Sequence, residues 1–257
     1  MLLRAYAFVP RQRWLDLANL AQPEQWGFQR DKPDRPFPIL RTYLNYTFRR
    51  AWYQDKVAEL GEGDERRAVF NTGLATIHYE AIYGHLAPNR PKYDVNPSRD
   101  PQPYYVQAFC PRSDSQLMVF RRLPDRATYF DHPADLLYDT DLDLRVQYKH
   151  IVNQHVDRFP AALRDDDRRR TEAVRQAIEH AKFRVEQNYK TAVPQFYWKT
   201  PDDSDAGRLQ LLVPLCLEDI TRADLALSID REGDVYRAAT VLTLDMAYGN
   251  ARLVARP

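Results

Sequence analysis

The C-terminal stretch of this chain, residues 209–257, constrains the fold more than any other segment. It holds the longest apolar run in the sequence, in residues 209–217, and that run is apolar on both sides of an extended chain, as in an interior strand. Apolar and polar residues alternate over 223–230, which predicts a strand with one buried face. The polar tetrapeptide 231–234 then predicts a hairpin turn, and residues 236–244 return as a third strand. The stretch therefore predicts a three-stranded antiparallel meander.

Two further segments have the spacing of amphipathic helices. In residues 39–60, and again in 168–189, apolar side chains recur three, four and seven positions apart, so one stripe of each helix is expected to face a core. Aspartates at 165–167 precede the second helix, at the end where the helix dipole favours acids. We therefore predict an α+β fold, with a mainly antiparallel sheet that carries the C-terminal three-stranded meander and two long helices packed on it.

The length of 257 residues fits one large domain or two small ones. Residues 1–35 hold one short amphipathic segment, 12–21, before prolines break the chain, and we interpret them as an N-terminal extension with a short helix. The proline-rich stretch 88–103 and the polar stretch 201–207 are typical of loops. Because the apolar segments on either side of 88–103 are too short to bury cores alone, we predict a single α+β domain over residues 36–257.

The composition excludes several classes of function. The formal net charge of +1 gives no global basic field for nucleic acid, so any such site has to be a local patch. Two cysteines are too few for a disulfide scaffold or a cysteine-based zinc site. The glycines form neither a dinucleotide fingerprint nor a P-loop, and no uncharged apolar stretch approaches the ~20 residues of a membrane span. We therefore expect a cytoplasmic protein with no cofactor, no metal and no membrane partner.

Aromatic and cationic side chains are interleaved in the helix predicted at 39–60. Rings that stack on bases and cations that meet phosphates are typical of sites for single-stranded nucleic acid. The more common interpretation of such a segment is a core helix whose arginines line a solvated flank. The side chains concerned are Tyr43, Tyr46, Phe48, Trp52 and Tyr53, with Arg41, Arg49, Arg50 and Lys56.

The histidines give weak signals of chemistry. Arg145 and His150 have the R-x4-H spacing of metal-independent ribonucleases of the HEPN type, in which the pair lies on a helix, whereas residues 142–148 alternate like a strand. His150 also belongs to a local polar cluster, where a histidine suits general acid or base catalysis because its free pKa lies near neutrality. His78 and Glu80 would share one face of a strand, but they supply only two of the three or four ligands of a metal site. The ligand spacing of a metal hydrolase is therefore missing.

Four motifs link the chain to a known family. They are residues 71–74 (NTGL), 188–197 (NYKTAVPQFY), 211–217 (LLVPLCL) and 240–253 (TVLTLDMAYGNARL). In these motifs the chain resembles a mostly bacterial family of unknown function that is sometimes joined to OST-HTH (LOTUS) or cold-shock RNA-binding modules. The resemblance covers roughly residues 65–257 and is most specific in the last third. It implies an association with RNA, and it carries over no catalytic residue.

Two hypotheses for the function follow. In the first, the protein is an RNA- or nucleotide-binding domain, with or without RNA processing. Cations would hold phosphate, tyrosines would stack, amides would read base edges, and His150 or Asp245 would carry a proton in any reaction. In the second, the chain is a non-catalytic protein-interaction module whose polar motifs are structural. The ligand-binding residues of the first hypothesis are Asn71, Thr72, Tyr189, Lys190, Gln195, Tyr197, Tyr248, Asn250 and Arg252.

Overall fold

A computed structural model describes residues 1–27, 36–89, 102–199 and 206–255. Packing divides the chain into two compact units, and each unit has its own five-stranded sheet. Unit 1 comprises Met1–Thr128 and Thr200–Ala206, and unit 2 comprises Tyr129–Lys199 and Gly207–Pro257.

Unit 1 is a sheet with helices packed on it. In chain order its described helices and strands are α1 Leu3–Tyr6, β1 Ala7–Phe8, α2 Arg11–Leu20, α3 Pro38–Tyr53, β2 Val57–Leu60, β3 Arg67–Ala75, β4 Ala81–Pro88 and β5 Tyr104–Pro111. The strand order is β1-β5-β4-β3-β2. Strands β2 to β5 pair antiparallel, and the short β1 pairs parallel with β5.

Helix α3 supplies much of the core of unit 1. It begins at Pro38, whose fixed φ suits the first turn of a helix. Its apolar stripe is buried, and Leu40, Leu44 and Phe48 are completely removed from solvent. The Phe48 ring meets Phe70 of β3 edge-on, with 5.0 Å between ring centroids, which is a favoured geometry for an aromatic pair. The stripe predicted from the sequence is therefore a core face.

The cations at the end of α3 bind main-chain carbonyls. Arg50 donates from Nε to the Thr128 carbonyl at 2.7 Å and from Nη1 to the Ala206 carbonyl at 2.8 Å. Lys56, just beyond the helix, donates to a further carbonyl of the segment that contains Thr128. These cations donate to backbone carbonyls and Phe48 lies in the core. The helix therefore fits the interpretation as a core helix better than the interpretation as a nucleic-acid surface.

Unit 2 is a second sheet with helices on both faces. In chain order its described helices and strands are β6 Asp143–Val146, α4 Tyr148–Asn153, α5 Ala161–Arg164, α6 Asp167–Gln187, β7 Val193–Tyr197, β8 Arg208–Leu215, β9 Leu225–Glu232, β10 Val235–Thr243 and α7 Leu244–Ala251. The strand order is β6-β10-β9-β8-β7. Strands β7 to β10 pair antiparallel, and β6 runs parallel to β10. The meander β8-β9-β10 is therefore interior to the sheet, with β7 at one edge.

The two faces of the unit 2 sheet carry different layers. Helices α4 and α6 pack on one face, and α7 packs on the other. Because successive strand residues point to opposite faces, Leu211 contacts the first layer and Leu212 the second. Helix α7 meets the sheet through Ala247 and Ala251, whose small side chains let the helix backbone approach closely.

The predicted fold class is confirmed. The chain is α+β with mainly antiparallel sheets, and residues 209–244 form the predicted meander. Each of the two sheets carries one of the predicted long helices, α3 on β3 and α6 on β8. The division into an extension over residues 1–35 and a single domain over 36–257 stays a prediction.

The first long helix is shorter than its periodicity predicted. The spacing favoured residues 39–60, but α3 ends at Tyr53 and Val57–Leu60 forms strand β2. Asp55 has a left-handed backbone with φ of 54°, which turns the chain out of the helix. Pairing of β2 with β3 then decides the conformation of the last four residues, although Ala58 falls on the helical stripe.

The strand predicted at 142–148 ends earlier than expected. Strand β6 stops at Val146, and α4 begins at Tyr148. Arg145 therefore lies on a strand and His150 on a helix, so the R-x4-H pair does not have the single-helix placement of HEPN ribonucleases. The loops predicted at 88–103 and 201–207 lie largely outside the described residues.

Candidate functional site

The polar bend at residues 71–73 is a bulge in strand β3. The pairing of β3 with β4 changes register between Asn71 and Ala75. The Thr72 hydroxyl donates to the Ile82 carbonyl at 2.8 Å, and Asn71 Oδ1 accepts from the Gly73 amide at 2.9 Å. Gly73 has φ of 73°, a conformation that favours glycine. The buried side chains of Asn71 and Thr72 thus hold a local backbone shape, and their role toward a ligand stays a prediction.

Four of the predicted residues of unit 2 follow β7 and its approach. Tyr189 and Lys190 are exposed in a 3-10 turn directly before the strand. Gln195, in the middle of β7, is only 1% exposed, whereas Tyr197 at its end is 37% exposed. Because Gln195 and Tyr197 are two residues apart, their side chains lie on the same face of the sheet.

Helix α7 carries the other C-terminal candidates. Asp245, Tyr248 and Arg252 are three and four positions apart, so they share one side of the helix. Asp245 is exposed, and the other two are half-buried. The Asn250 side chain is directed toward β7, where its Nδ2 donates to Oε1 of Gln195 at 3.0 Å. This hydrogen bond joins α7 to β7 through two of the predicted residues.

The bond between Asn250 and Gln195 belongs to a buried polar network on the α7 face of the sheet. Gln195 donates from Nε2 to Gln210 Oε1 at 2.8 Å and to Ser228 Oγ at 3.0 Å. The Ser228 hydroxyl donates to the same Gln210 oxygen at 2.9 Å. Gln210 in turn donates from Nε2 to Asp230 Oδ2 at 2.8 Å. Every polar group of the three most buried members has a partner, which is the condition for a polar network to stabilise a core.

Arg208 and Asp230, which the sequence did not single out, close the network at its solvent side. Arg208 Nε lies 3.0 Å from Asp230 Oδ1, and its Nη2 donates to Oδ2 at 3.1 Å. Burial raises the pKa of Asp230 above its ordinary value, while the Gln210 hydrogen bond and the Arg208 charge act in the opposite direction. Arg208 is also the cross-strand partner of Tyr197. The sequence pattern that could have identified Asp230 is its spacing of two from Ser228, which places both polar residues on one face of an otherwise apolar strand.

His150 lies on the other side of the unit 2 sheet from α7. It is exposed on α4, whose Ile151 and Val152 pack into the layer formed with α6. Asp245 opens α7, which packs on the opposite face. The two residues predicted as proton carriers are therefore separated by the sheet, and each is a candidate on its own.

Asn71 and Thr72 belong to unit 1, and the other predicted residues belong to unit 2. The composite of all these residues stays a prediction. In the described ranges, no three His, Cys, Asp or Glu side chains are grouped so that they could hold a metal ion. No helix in this part of the chain has the length and apolar character needed to cross a bilayer.

A family model described as Domain of unknown function (DUF3825) matches residues 17–257. The chain belongs to the DUF3825 family. The match runs through both units, so the bulge of unit 1 and the network of unit 2 both lie within the DUF3825 domain. Searches of curated proteins and of solved structures found no match to this DUF3825 chain. The resemblance to a family of unknown function is thereby confirmed, and the association of DUF3825 relatives with RNA-binding modules stays a prediction.

Proposed function

We propose that the protein binds RNA or a nucleotide along β7 and α7 of unit 2. The observation that carries the proposal is the hydrogen bond between Gln195 and Asn250, which are 55 residues apart in the chain. It ties the strand that carries Tyr197 to the helix that carries Tyr248 and Arg252. Rings, cations and an amide thus occur on adjoining elements, which is the set of groups that single-stranded RNA sites use.

Each kind of group has a distinct part in such binding. Tyr197 is partly exposed at the end of β7 and suits stacking on a base. Arg208, opposite Tyr197, is exposed but anchored by Asp230, so its guanidinium is held in place beside the ring. Lys190, exposed before β7, suits contact with phosphate.

The spread of these groups favours a short single strand over a mononucleotide. Tyr189 and Lys190 precede the first residue of β7, and Tyr197 is its last. The five residues of β7 span about 13 Å between first and last Cα at the usual strand rise. Successive phosphates of a stacked strand are about 3.4 Å apart along its axis, so roughly four nucleotides cover this distance.

Fluorescence anisotropy with labelled RNA hexamers, and with ATP as a mononucleotide competitor, tests the proposal. We expect Tyr197→Ala to weaken hexamer binding about tenfold, since one base stack contributes about 1–3 kcal/mol. Lys190→Ala is expected to lower the slope of log Kd against log salt by about 0.7, the value for one phosphate of a single strand. Tyr53→Ala, an exposed tyrosine of unit 1, and Lys149→Ala, an exposed lysine of α4, serve as matched controls.

Failure of the hexamers and of ATP to bind the wild-type protein would contradict the proposal. It would also be contradicted if Tyr197→Ala weakened binding no more than Tyr53→Ala. Catalysis is a separate question, for which Asp245→Asn and His150→Gln are the variants to assay for turnover of a bound hexamer.

A second candidate, a protein-interaction module, is favoured by an apolar tip in unit 1. Four large apolar side chains are more than half exposed there, Ile77, Tyr79, Met118 and Val119. Their two loops adjoin, because the Ser113 amide donates to the Glu80 carboxylate and the Arg112 amide donates to the Ala81 carbonyl at 2.9 Å. Apolar patches of this kind mark contact surfaces. Concentration-dependent association in analytical ultracentrifugation, abolished by Met118→Ser, would support this candidate, and a monomer at all concentrations would count against association of the chain with itself.

A further inference from the structure

In the buried network under α7, the amide hydrogen bonds run in one direction: Asn250 donates to Gln195, Gln195 to Gln210, and Gln210 to Asp230. A carboxylate oxygen only accepts hydrogen bonds, whereas a side-chain amide has a donor nitrogen on one side and an acceptor oxygen on the other. Asp230 therefore has a fixed role: it accepts from Gln210 Nε2 at 2.8 Å. Arg208, which only donates, binds both oxygens of the same carboxylate and holds it in place. One end of the network is thus fixed by chemistry.

The orientation of each amide then follows from that of its neighbour. Since Gln210 turns its nitrogen to Asp230, its oxygen faces Gln195 and Ser228, which donate to it at 2.8 and 2.9 Å. Gln195 accordingly turns its nitrogen toward Gln210 and its oxygen toward Asn250, which donates from Nδ2 at 3.0 Å. The Asn250 Oδ1 is left on the far side of its amide. No residue in the described part of the chain donates a hydrogen bond to it.

We propose that Asp230 fixes the orientation of the amides of Gln210, Gln195 and Asn250, a chain of hydrogen bonds that we call the relay. The relay leaves Asn250 Oδ1 to accept a hydrogen bond from a ligand, and this acceptor selects bases with an exocyclic amine. The inference rests on the proposed nucleic-acid function of unit 2. Cytosine has an N4 amine that donates, whereas uracil has an accepting oxygen at the same position. Asn250 contacts the base, and Gln195, Gln210 and Asp230 are positioning residues. The site therefore selects cytosine over uracil.

The substitution Asp230→Asn removes the fixed end of the relay. An amide at position 230 satisfies Arg208 best with its oxygen, because Arg208 only donates, and it then turns its nitrogen toward Gln210. Gln210 and Gln195 respond by reversing their amides, and each keeps a donor and an acceptor contact. The reversed relay turns the Asn250 nitrogen outward, as a donor that suits the uracil oxygen.

Binding of hexacytidine and hexauridine, measured by anisotropy, tests this specificity. The wild-type protein is expected to bind hexacytidine about three- to tenfold more tightly, which corresponds to the one hydrogen bond that Asn250 makes with one base of the hexamer. Asp230→Asn is expected to bind RNA still, with that preference lost or reversed. Asp224→Asn is the matched control, since Asp224 accepts from the Leu217 and Glu218 amides at 2.7 and 3.1 Å in a loop of the same unit. It is expected to keep the preference of the wild type.

A second measurement needs no ligand. In NMR spectra of the free protein, the side-chain amide signals of Gln195 and Asn250 are expected to shift in Asp230→Asn and to stay in place in Asp224→Asn. Purely structural support by Asp230 would change stability without changing base preference.

The outcomes separate this inference from the function on which it rests. If both hexamers bind and the wild type does not distinguish them, or if Asp230→Asn keeps the wild-type preference, the inference is overturned and the binding function stands. If neither hexamer binds, the binding function fails and the base preference with it. In that case unchanged Gln195 and Asn250 signals in Asp230→Asn overturn the relay as well.

Discussion

Replacing Gln195 by methionine tests how much the buried network stabilises unit 2. Methionine is similar in length and shape, so the change removes the amide without opening a large cavity. Three hydrogen bonds are lost, those to Gln210, Ser228 and Asn250. Gln210 Oε1 keeps its bond from Ser228, so no buried acceptor is stranded. At about 1 kcal/mol for each bond, we expect a loss of about 3 kcal/mol in the free energy of unfolding.

Native-state hydrogen exchange, read by mass spectrometry on peptides of β8 and β9, measures this loss locally. A destabilisation of about 3 kcal/mol corresponds to exchange that is roughly a hundredfold faster. Gln176→Met, on the exposed side of α6, is the control, and we expect it to change stability by less than about 0.5 kcal/mol. A loss below about 1 kcal/mol in a folded Gln195→Met would refute the reasoning.

The substitution Gln195→Glu sharpens the same test. A charged carboxylate only accepts, so it faces the Gln210 oxygen without a proton between them, at a position that is 1% exposed. The cost at neutral pH is expected to exceed that of the methionine variant. Burial raises the pKa of such a carboxyl, so the cost should shrink as pH falls toward the ordinary glutamate value of about 4.3. A glutamate variant as stable as the methionine variant at neutral pH would contradict the relay geometry.

Three further predictions concern the packing of the two units. Gly73→Ala is expected to lower the free energy of unfolding in urea more than Gly63→Ala does. Both glycines have positive φ, but only at Gly73 would a Cβ meet a neighbour, the Tyr43 hydroxyl at 2.5 Å. Equal losses would show that Tyr43 moves aside. Ile178→Ala, at a completely buried position of α6, is expected to cost about 3 kcal/mol in the same assay. Burial lowers the pKa of His85, so as pH drops the unfolded chain takes up a proton before the folded chain does. The free energy of unfolding is therefore expected to fall as pH drops through about 6.5, by at most about 1.4 kcal/mol per pH unit. In His85→Leu the urea midpoint should vary less with pH in this range.

The spacing of apolar residues predicts the helices and strands of this fold correctly where the buried faces follow that spacing. The meander is of this kind, since the alternation in residues 223–230 matches the two layers that cover the sheet of unit 2. Strand β2 is the opposite case. Its four residues continue a helical stripe, and only the turn at Asp55 and the pairing with β3 make them a strand. Neither of these is visible in a window of helical length.

Several residues of the candidate site could be chosen from the sequence, but the contacts between them could not be predicted from it. Gln195 and Asn250 could be chosen as polar residues beside strands, but their contact depends on how α7 lies across the sheet. Asp230 was missed because a polar residue on a half-buried strand ordinarily faces solvent. The small residues Ala247 and Ala251 were the clue to a helix lying close over that face, and a covered face gives its polar side chains partners inside the protein.

The way in which the two units share the chain has a consequence for inheritance. Unit 1 regains Ala206 after the chain has already entered unit 2, and Arg50 donates to the Ala206 carbonyl at 2.8 Å. A single break between Thr128 and Tyr129 therefore leaves unit 1 without this contact. Gain, loss or exchange of one unit alone would need several coordinated breaks in the gene. We expect the pair to pass between genomes as one block, and the family match over residues 17–257 includes most of unit 1 together with unit 2.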